Sequence, residues 1–106
     1  MVSIEEFKKL ELIVARIIEV KEHPQADKLY ILKINTGKEI KQLVAGIRKS
    51  YSPEQLINKS IVIINNLQPA VIRGWESQGM LLAVSDKDRI SLIVPDKDIP
   101  PGSPIR

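Results

Sequence analysis

The residue types that most often carry out catalysis are scarce in this chain. There is one histidine, His23, and no cysteine, so thiolate nucleophiles and cysteine-based zinc sites are excluded. A Ser-His-Asp triad would have to use His23, yet no serine lies in a nucleophile-elbow pattern. The carboxylate pairs Asp86/Asp88 and Asp96/Asp98 alternate with lysine, as is typical of solvated turns. We therefore expect no enzyme, no metal site and no cofactor.

The basic residues are concentrated in the middle of the chain. The sequence has 16 Lys and Arg against 13 Asp and Glu, a net charge of +3. Residues 28–75 hold eight basic and two acidic residues, so this segment carries +6 and the remainder −3. Such an asymmetry produces a surface field that favours a polyanionic partner. The alternative is that scattered lysines only keep a small domain in solution.

Length and composition indicate one small β-rich domain. A chain of 106 residues suits a single domain over residues 1–106. With only four aromatic residues, the core must consist of Ile, Leu and Val, which favours strands. No apolar run approaches the roughly 20 residues of a membrane span, and the N-terminus lacks the apolar region of a signal peptide. We expect a cytoplasmic protein that does not enter a membrane.

The N-terminal segment predicts a short helix followed by a long, bent strand. Ser3 and Glu6 have capping-box spacing, which predicts a helix over residues 3–9 with Phe7 and Leu10 on its buried side. Residues 10–21 are rich in β-branched side chains and predict a first strand. The apolar alternation slips between Val14 and Ile17, which indicates a bulge.

The remaining pattern predicts an all-β barrel with one further helix. Strands are expected over residues 28–35, 40–45, 60–66, 79–85 and 89–94, and Ser52-Pro53 predicts a helix between strands three and four. The tail, residues 95–106, holds four of the seven prolines and should be extended. This order is typical of an OB-fold, a five-stranded Greek-key barrel. Another small β-barrel is the alternative.

Four stretches stand out by their order and spacing: EEFKKLEL (5–12), HPQADKLY (23–30), QLVAGI (42–47) and NLQPAVIRGWESQGMLLA (66–83). Together they resemble the tRNA-binding domain of stand-alone homodimeric tRNA-binding proteins. The same domain occurs at the C-terminus of methionyl-tRNA synthetases and in the endothelial monocyte-activating polypeptide. The resemblance implies an OB-fold that binds the outer corner of tRNA by shape, as a homodimer and as the beta subunit or partner of a methionyl-tRNA synthetase. There are two alternatives: a chaperone of the CsaA export family that binds unfolded polypeptide, and a purely structural dimerisation module that docks a synthetase subunit.

The resemblance and the charge pattern together select a set of expected tRNA-binding residues. An arginine such as Arg73 can bind phosphate, and Trp75 can stack on an unpaired base or pack on the barrel rim. Met80 either fills the core or packs on a ribose or base. The full set is Lys28, Lys33, Gln42, Arg48, Asn66, Arg73, Trp75, Ser77, Gln78 and Met80.

Two further features qualify the resemblance. Gln68 and Val71 stand where relatives often have lysine or arginine, so the loop that contains them is less basic than is usual in the family. The tail and the segment just before it should contribute apolar anchors, Ile93, Ile99 and Ile105, to a two-fold dimer interface. A tail that folds back onto its own barrel and leaves a monomer is the alternative.

Overall fold

The computed structural model describes residues 1–106, and β-strands predominate throughout it. The elements are α1 (Ile4–Phe7), β1 (Leu12–Glu22), β2 (Tyr30–Asn35), β3 (Ile40–Ala45), α2 (Pro53–Leu56), β4 (Ser60–Ile64), β5 (Ala70–Ile72), β6 (Trp75–Ser77), β7 (Met80–Leu81), β8 (Ala83–Asp86) and β9 (Arg89–Leu92). Neither helix has the length or apolar character that crossing a bilayer requires.

Five strands form the barrel sheet in the order β3-β2-β1-β4-β7, with every pair antiparallel. Residues 12–16 of β1 pair with β4, and residues 16–22 pair with β2. The register shifts between Ile17 and Glu19, which confirms the predicted bulge and lets one strand serve both halves of the barrel. The Gln78 N–H donates to the Gln42 carbonyl at 2.8 Å, which closes the gap between β3 and the segment before β7. The predicted all-β, OB-like fold is confirmed.

Aliphatic side chains fill the barrel, as the composition predicted. Leu32 and Ile34 of β2 are fully buried, together with Ile61 and Ile63 of β4. The α2 helix contributes Leu56, which is also fully buried and covers one end of the barrel core. Burial of such side chains stabilises the fold by about 1.5–3 kcal/mol each.

Both short helices begin with complete capping boxes. The Ser3 hydroxyl accepts from the Glu6 N–H, and the Ser3 N–H donates to the Glu6 carboxylate. Ser52 and Gln55 repeat this exchange at the start of α2. The expected burial of Leu10 is wrong: the side chain is 44% exposed, because α1 ends at Phe7 and the chain turns into β1.

The second half of the chain departs from the predicted strands. The single strand expected over residues 79–85 is divided into β7 and β8 at Leu82. The Leu82 N–H donates to the Val62 carbonyl of β4, whereas the Leu82 carbonyl accepts from the Ile93 N–H just after β9, so the pairing partner changes at this residue. The β5–β6 hairpin occupies a segment that the sequence predicted to be a loop. The β4 strand ends at Ile64, two residues before the predicted end, although the Asn65 N–H still donates to the Glu11 carbonyl at 2.8 Å in the register of the β1–β4 pairing.

The tail lies along β1 of its own chain. The Gly102 N–H donates to the Val14 carbonyl at 2.7 Å, and the Val14 N–H donates to the Ser103 carbonyl at 2.9 Å. Gly102 and Gly37 both have positive φ, and a Cβ on Gly37 would lie 2.6 Å from the Pro101 carbonyl oxygen. Only glycine fits such a close approach at these dihedrals. The tail is therefore extended, as predicted, but its backbone bonds are made within the chain.

Candidate nucleic-acid interface

The turn before β2 is joined to the tip of the β5–β6 hairpin through His23. The Gln25 N–H donates to His23 Nδ1 at 3.0 Å, so Nδ1 is the acceptor nitrogen of a neutral ring. The proton therefore resides on Nε2, which lies 3.0 Å from the Arg73 carbonyl oxygen and donates to it. His23 is only 3% exposed. This histidine is a structural link between two loops.

The tip of the hairpin has an unusual backbone that presents Arg73 to solvent. Arg73 and Gly74 have φ of +50° and +88°, as the two central residues of a type I′ turn require. The Arg73 side chain is exposed, and its only hydrogen bond to the protein is a 3.3 Å bond to the Gln25 carbonyl. The guanidinium thus keeps most of its donors available for a ligand.

Trp75 is packed at the base of this turn. Its ring meets the His23 ring edge-on at a centroid distance of 6.3 Å, and the Lys21 ammonium lies 4.8 Å from the Trp75 ring centroid. The side chain is half-buried. These contacts favour the packing role over stacking on a base. Whether Trp75 also touches RNA stays a prediction.

Arg48 holds the turn before β2 from the other side. Its guanidinium forms an ion pair with Glu22 at 2.9 Å and donates to the carbonyls of His23 and Ala26. The side chain is 25% exposed. The predicted direct contact of Arg48 with tRNA is not supported, because its donors are directed at the protein. The structure gives it a positioning role for the loop that carries Lys28.

A chain of polar contacts connects β2, β3 and β6. Lys33 Nζ donates to Gln42 Oε1, and Gln42 Nε2 donates to the Glu76 carbonyl, each at 2.9 Å. The Gln78 side chain accepts from the Gln42 N–H at 2.9 Å. Lys33, Gln42 and Gln78 are therefore linked in one network, and all three are half-buried. The Lys33 ammonium retains two donors beyond this network.

Two of the expected tRNA-contact residues, Ser77 and Asn66, bond to backbone groups of their own chain instead. Ser77 is 4% exposed, and its hydroxyl accepts from the Val44 N–H and donates to the Gly79 carbonyl. The Asn66 amide accepts from the Glu11 N–H and donates to the Lys9 carbonyl, which fastens the N-terminal segment to the loop after β4. We correct both expectations, because a bonded or buried group has little left to offer a ligand.

Lys28 and Arg73 line the same open cleft. The cleft has a volume of about 610 Å³ and lies between residues 25–29 and the hairpin residues Ile72 and Arg73. Lys28 is exposed and makes no side-chain hydrogen bond or ion pair. We call this space the loop cleft. It presents two cations and one carboxylate, Asp27, to solvent.

Met80 lies at the surface rather than in the core. It is 47% exposed on β7, where it pairs with Ile64. Of the two roles that the sequence allowed, core filling is therefore wrong. An exposed thioether can pack on a ribose or base.

The sequence missed residues that surround Lys28. Lys49 and Lys87, with Ser50 and Ser85, line a second cleft that shares Lys28 with the loop cleft. Lys49 was counted only in the charge of residues 28–75, and Lys87 was interpreted as part of a solvated turn. No local pattern places these two lysines together, because the β8–β9 hairpin meets the segment after β3 only in the folded chain.

The sequence also matches proteins of known families. The profile of the family described as "Putative tRNA binding domain" matches residues 12–104. The methionine–tRNA ligase of Pyrococcus horikoshii is 53% identical over 105 residues, which are 99% of this chain and 14% of that protein. The chain therefore spans about one seventh of the length of this curated relative.

Solved structures share the fold over the whole chain. A methionyl-tRNA-synthetase-related protein from Pyrococcus horikoshii superposes with a TM-score of 0.93 at 29% identity, covering 100% of this chain and 98% of the other. The CsaA chaperone of Picrophilus torridus superposes with a TM-score of 0.92 at 32% identity, covering 100% of both chains. The resemblance inferred from the four sequence stretches is confirmed, and the chain belongs to the tRNA-binding domain family.

Proposed function

We propose that this chain binds tRNA by its shape and backbone charge, as a non-catalytic module. The observation that carries the proposal is the loop cleft, where Lys28 and Arg73 are exposed and largely free of protein partners in a chain of this family. Phosphate contacts of this kind position a nucleic acid without reading its sequence. Lys33 and Met80 extend the surface along β2 and β7.

The similarity to methionine–tRNA ligases supports a more specific role. We propose that the module supplies tRNA to a methionyl-tRNA synthetase, as its beta subunit or tRNA-binding partner, in the cytoplasm. We also propose a homodimer in which the exposed side chain of Ile93 and the half-buried Ile99 and Ile105 contribute to the interface. A dimer would present two basic surfaces to one tRNA, so that modest patches act together through effective concentration.

The CsaA-like structure supports a second candidate function, the binding of unfolded polypeptide. Such a chaperone would use exposed apolar residues, and Val71 on β5 is 74% exposed. The two functions differ in their dependence on salt. Phosphate binding weakens as salt rises because counterions are released, whereas apolar binding does not.

A salt titration distinguishes the two candidates. Purified protein is mixed with unfractionated tRNA, and separately with an unfolded polypeptide, at several salt concentrations in a binding assay. We expect tRNA affinity to fall with a log–log slope of about 0.7–0.9 per neutralised phosphate. Absent tRNA binding at low salt together with tight polypeptide binding would establish the chaperone function instead.

Variants of Arg73 in the loop cleft and of Lys33 on β2 locate the contact. Arg73→Asn removes the guanidinium while keeping a residue that tolerates positive φ, and Lys33→Ala removes the β2 ammonium. We expect both to weaken tRNA binding. Arg73→Asn should change folding stability by no more than ~0.5 kcal/mol, and Lys33→Ala, which breaks the bond to Gln42, should lower it by about 0.5–1.5 kcal/mol. Lys97→Asn in the exposed tail is the matched charge control. A loss of melting temperature with unchanged affinity would assign these side chains structural roles.

A further inference from the structure

A second basic cleft adjoins the loop cleft and is made by three separate segments of the chain. Lys28 comes from the turn before β2, Lys49 from the segment after β3, and Lys87 from the tip of the β8–β9 hairpin. The cleft has a volume of about 510 Å³. We call it the lysine cleft. Its only acidic lining residue is Asp88.

The fold holds these segments together through specific bonds. The Arg48 N–H donates to the Lys28 carbonyl at 3.2 Å, which brings Lys28 beside Lys49. The Tyr51 hydroxyl accepts from the Leu92 N–H at 3.0 Å, which joins the β8–β9 hairpin to the same segment. Ile90 of β9 packs against the core and lines the cleft. The convergence of the three lysines is thus built on ordered elements.

The lysines of the cleft are not neutralised by the protein. Arg16, Arg48 and Arg89 form the chain's ion pairs, and Lys33 and Lys41 donate to protein oxygens. None of the three cleft lysines has such a partner, and all are exposed. Three unpaired ammonium groups against one carboxylate leave the cleft with a net charge of +2. Such a concavity attracts an anion.

Neutral donors line the same space. Ser50 and Ser85 contribute hydroxyl groups. The N–H groups of Gly46 and Lys49 donate to no acceptor within the chain. Hydroxyl and backbone N–H groups beside lysines are the donors that nucleic-acid-binding proteins direct at phosphate oxygens.

We propose that the lysine cleft is a second phosphate-binding site, which continues the tRNA backbone contact from the loop cleft onto the β8–β9 hairpin. Lys28 lines both clefts and so joins them into one track. The ligand is a phosphodiester of the RNA backbone, recognised by charge and by neutral donors. This inference rests on the proposed tRNA binding.

Charge-removing variants test the site. The double variant Lys49→Gln, Lys87→Gln keeps polar side chains but removes two ammonium groups. We expect the log–log salt slope of tRNA binding to fall by roughly 2, because each phosphate-binding lysine contributes about 1. The control is Lys8→Gln, Lys97→Gln, which changes the net charge equally and lines neither cleft. A double variant that behaves like this control would overturn the inference while leaving tRNA binding intact.

Gly46 allows the cleft to be blocked without removing a lysine. A Cβ at Gly46 would meet only Leu29 Cδ2, at 3.8 Å, so Gly46→Glu fits sterically and places a carboxylate among the lysines. We expect weaker tRNA binding with an unchanged melting temperature. Unchanged affinity in this well-folded variant would contradict the site.

Inorganic phosphate separates failure of this site from failure of tRNA binding. In an NMR titration with phosphate alone, we expect amide shifts at residues 46–50 and 85–88, and their loss in the lysine double variant. If wild-type protein shows these shifts but binds no tRNA, the proposed tRNA binding is refuted, whereas the lysine cleft is still an anion-binding site. If wild-type protein shows no such shifts, and the Lys49→Gln, Lys87→Gln variant binds tRNA as tightly as its control does, the phosphate site in the lysine cleft is refuted.

Discussion

The imidazole of His23 donates from Nε2 to the carbonyl oxygen of Arg73, at 3.0 Å, and is nearly inaccessible to solvent. The bond spans the two walls of the loop cleft, because His23 begins the turn before β2 and Arg73 forms the tip of the β5–β6 hairpin. The separation of Lys28 and Arg73 therefore depends on a residue that does not itself need to touch RNA.

We predict that His23→Ala weakens both folding and tRNA binding. The substitution leaves the Gln25 N–H and the Arg73 carbonyl without their partner, which costs about 1–3 kcal/mol for a buried group. Chemical denaturation and a tRNA titration measure the two effects. His23→Asn separates the two bonds, since the asparagine oxygen can still accept from the Gln25 N–H while the bond to the Arg73 carbonyl is lost. Wild-type stability in the alanine variant would disprove the link.

A second prediction concerns Gln78. Its side-chain oxygen accepts from the Gln42 N–H of β3, so we expect Gln78→Ala to lower the free energy of unfolding by about 1–2 kcal/mol. Gln78→Glu keeps an acceptor at this position and should restore most of the loss. Gln68→Ala, at an exposed glutamine in the loop after β4, is the control. Equal stability of all three variants would show that the bond from the Gln42 N–H to the Gln78 side chain adds nothing to the backbone bond between these residues.

The third prediction is a loss of stability at alkaline pH through Tyr30. Burial raises the pKa of the Tyr30 hydroxyl above its usual value of 10.0, and Glu22 raises the pKa further while Arg48 opposes the shift. Since the folded pKa exceeds the unfolded pKa, this stabilisation is complete below about pH 10 and is lost as pH rises towards the folded pKa. Denaturation at several alkaline pH values should show the decline in wild type.

Tyr30→Phe provides the matched comparison. It removes the titrating group and also the 2.7 Å bond to the Tyr51 carbonyl, so the variant should be less stable at neutral pH. Its stability should then decline less steeply above about pH 10. Parallel curves for the two proteins would mean that other groups cause the alkaline loss.

The fourth prediction concerns the tail and the proposed dimer. Truncation after Val94 removes the bonds that Gly102, Ser103 and Ile105 make to β1, so we expect a lower melting temperature as well as dissociation to monomers. Light scattering measures the mass. Truncation changes both the melting temperature and the oligomeric state, so Ile93→Glu tests the interface more specifically. Ile93 is 40% exposed, and a charge there should leave the backbone bonds between the tail and β1 intact.

The outcomes for the dimer are distinct. We expect full-length protein to be dimeric at micromolar concentration and Ile93→Glu to be monomeric with a nearly unchanged melting temperature. Ile57→Glu, at an apolar residue 43% exposed after α2, controls for the added charge. A wild-type monomer, or a dimer that persists in the truncated chain, would refute a tail-dependent interface.

Much of the fold follows from local sequence patterns. The spacing of Ser3 and Glu6 predicted a capping box, and the slip in apolar alternation predicted the bulge in β1. These features depend on neighbouring residues, whose periodicity and hydrogen-bonding groups are visible in the sequence. The β5–β6 hairpin was missed because its Arg73-Gly74 turn places a non-glycine residue at positive φ, which no local preference indicates.

The sequence by itself determined the all-β barrel class, the helix caps, the aliphatic core and the family, since each follows from local residue patterns and motifs. Only the tertiary structure decided which cations are available. In the folded chain, the Arg48 side chain bonds to protein groups, and the Lys28 ammonium has no protein partner. Lys49 and Lys87, the latter from the β8–β9 hairpin, line one cleft. The physical reason is that side-chain hydrogen bonds and ion pairs join segments far apart in the chain, so the partner of each group is defined only after folding.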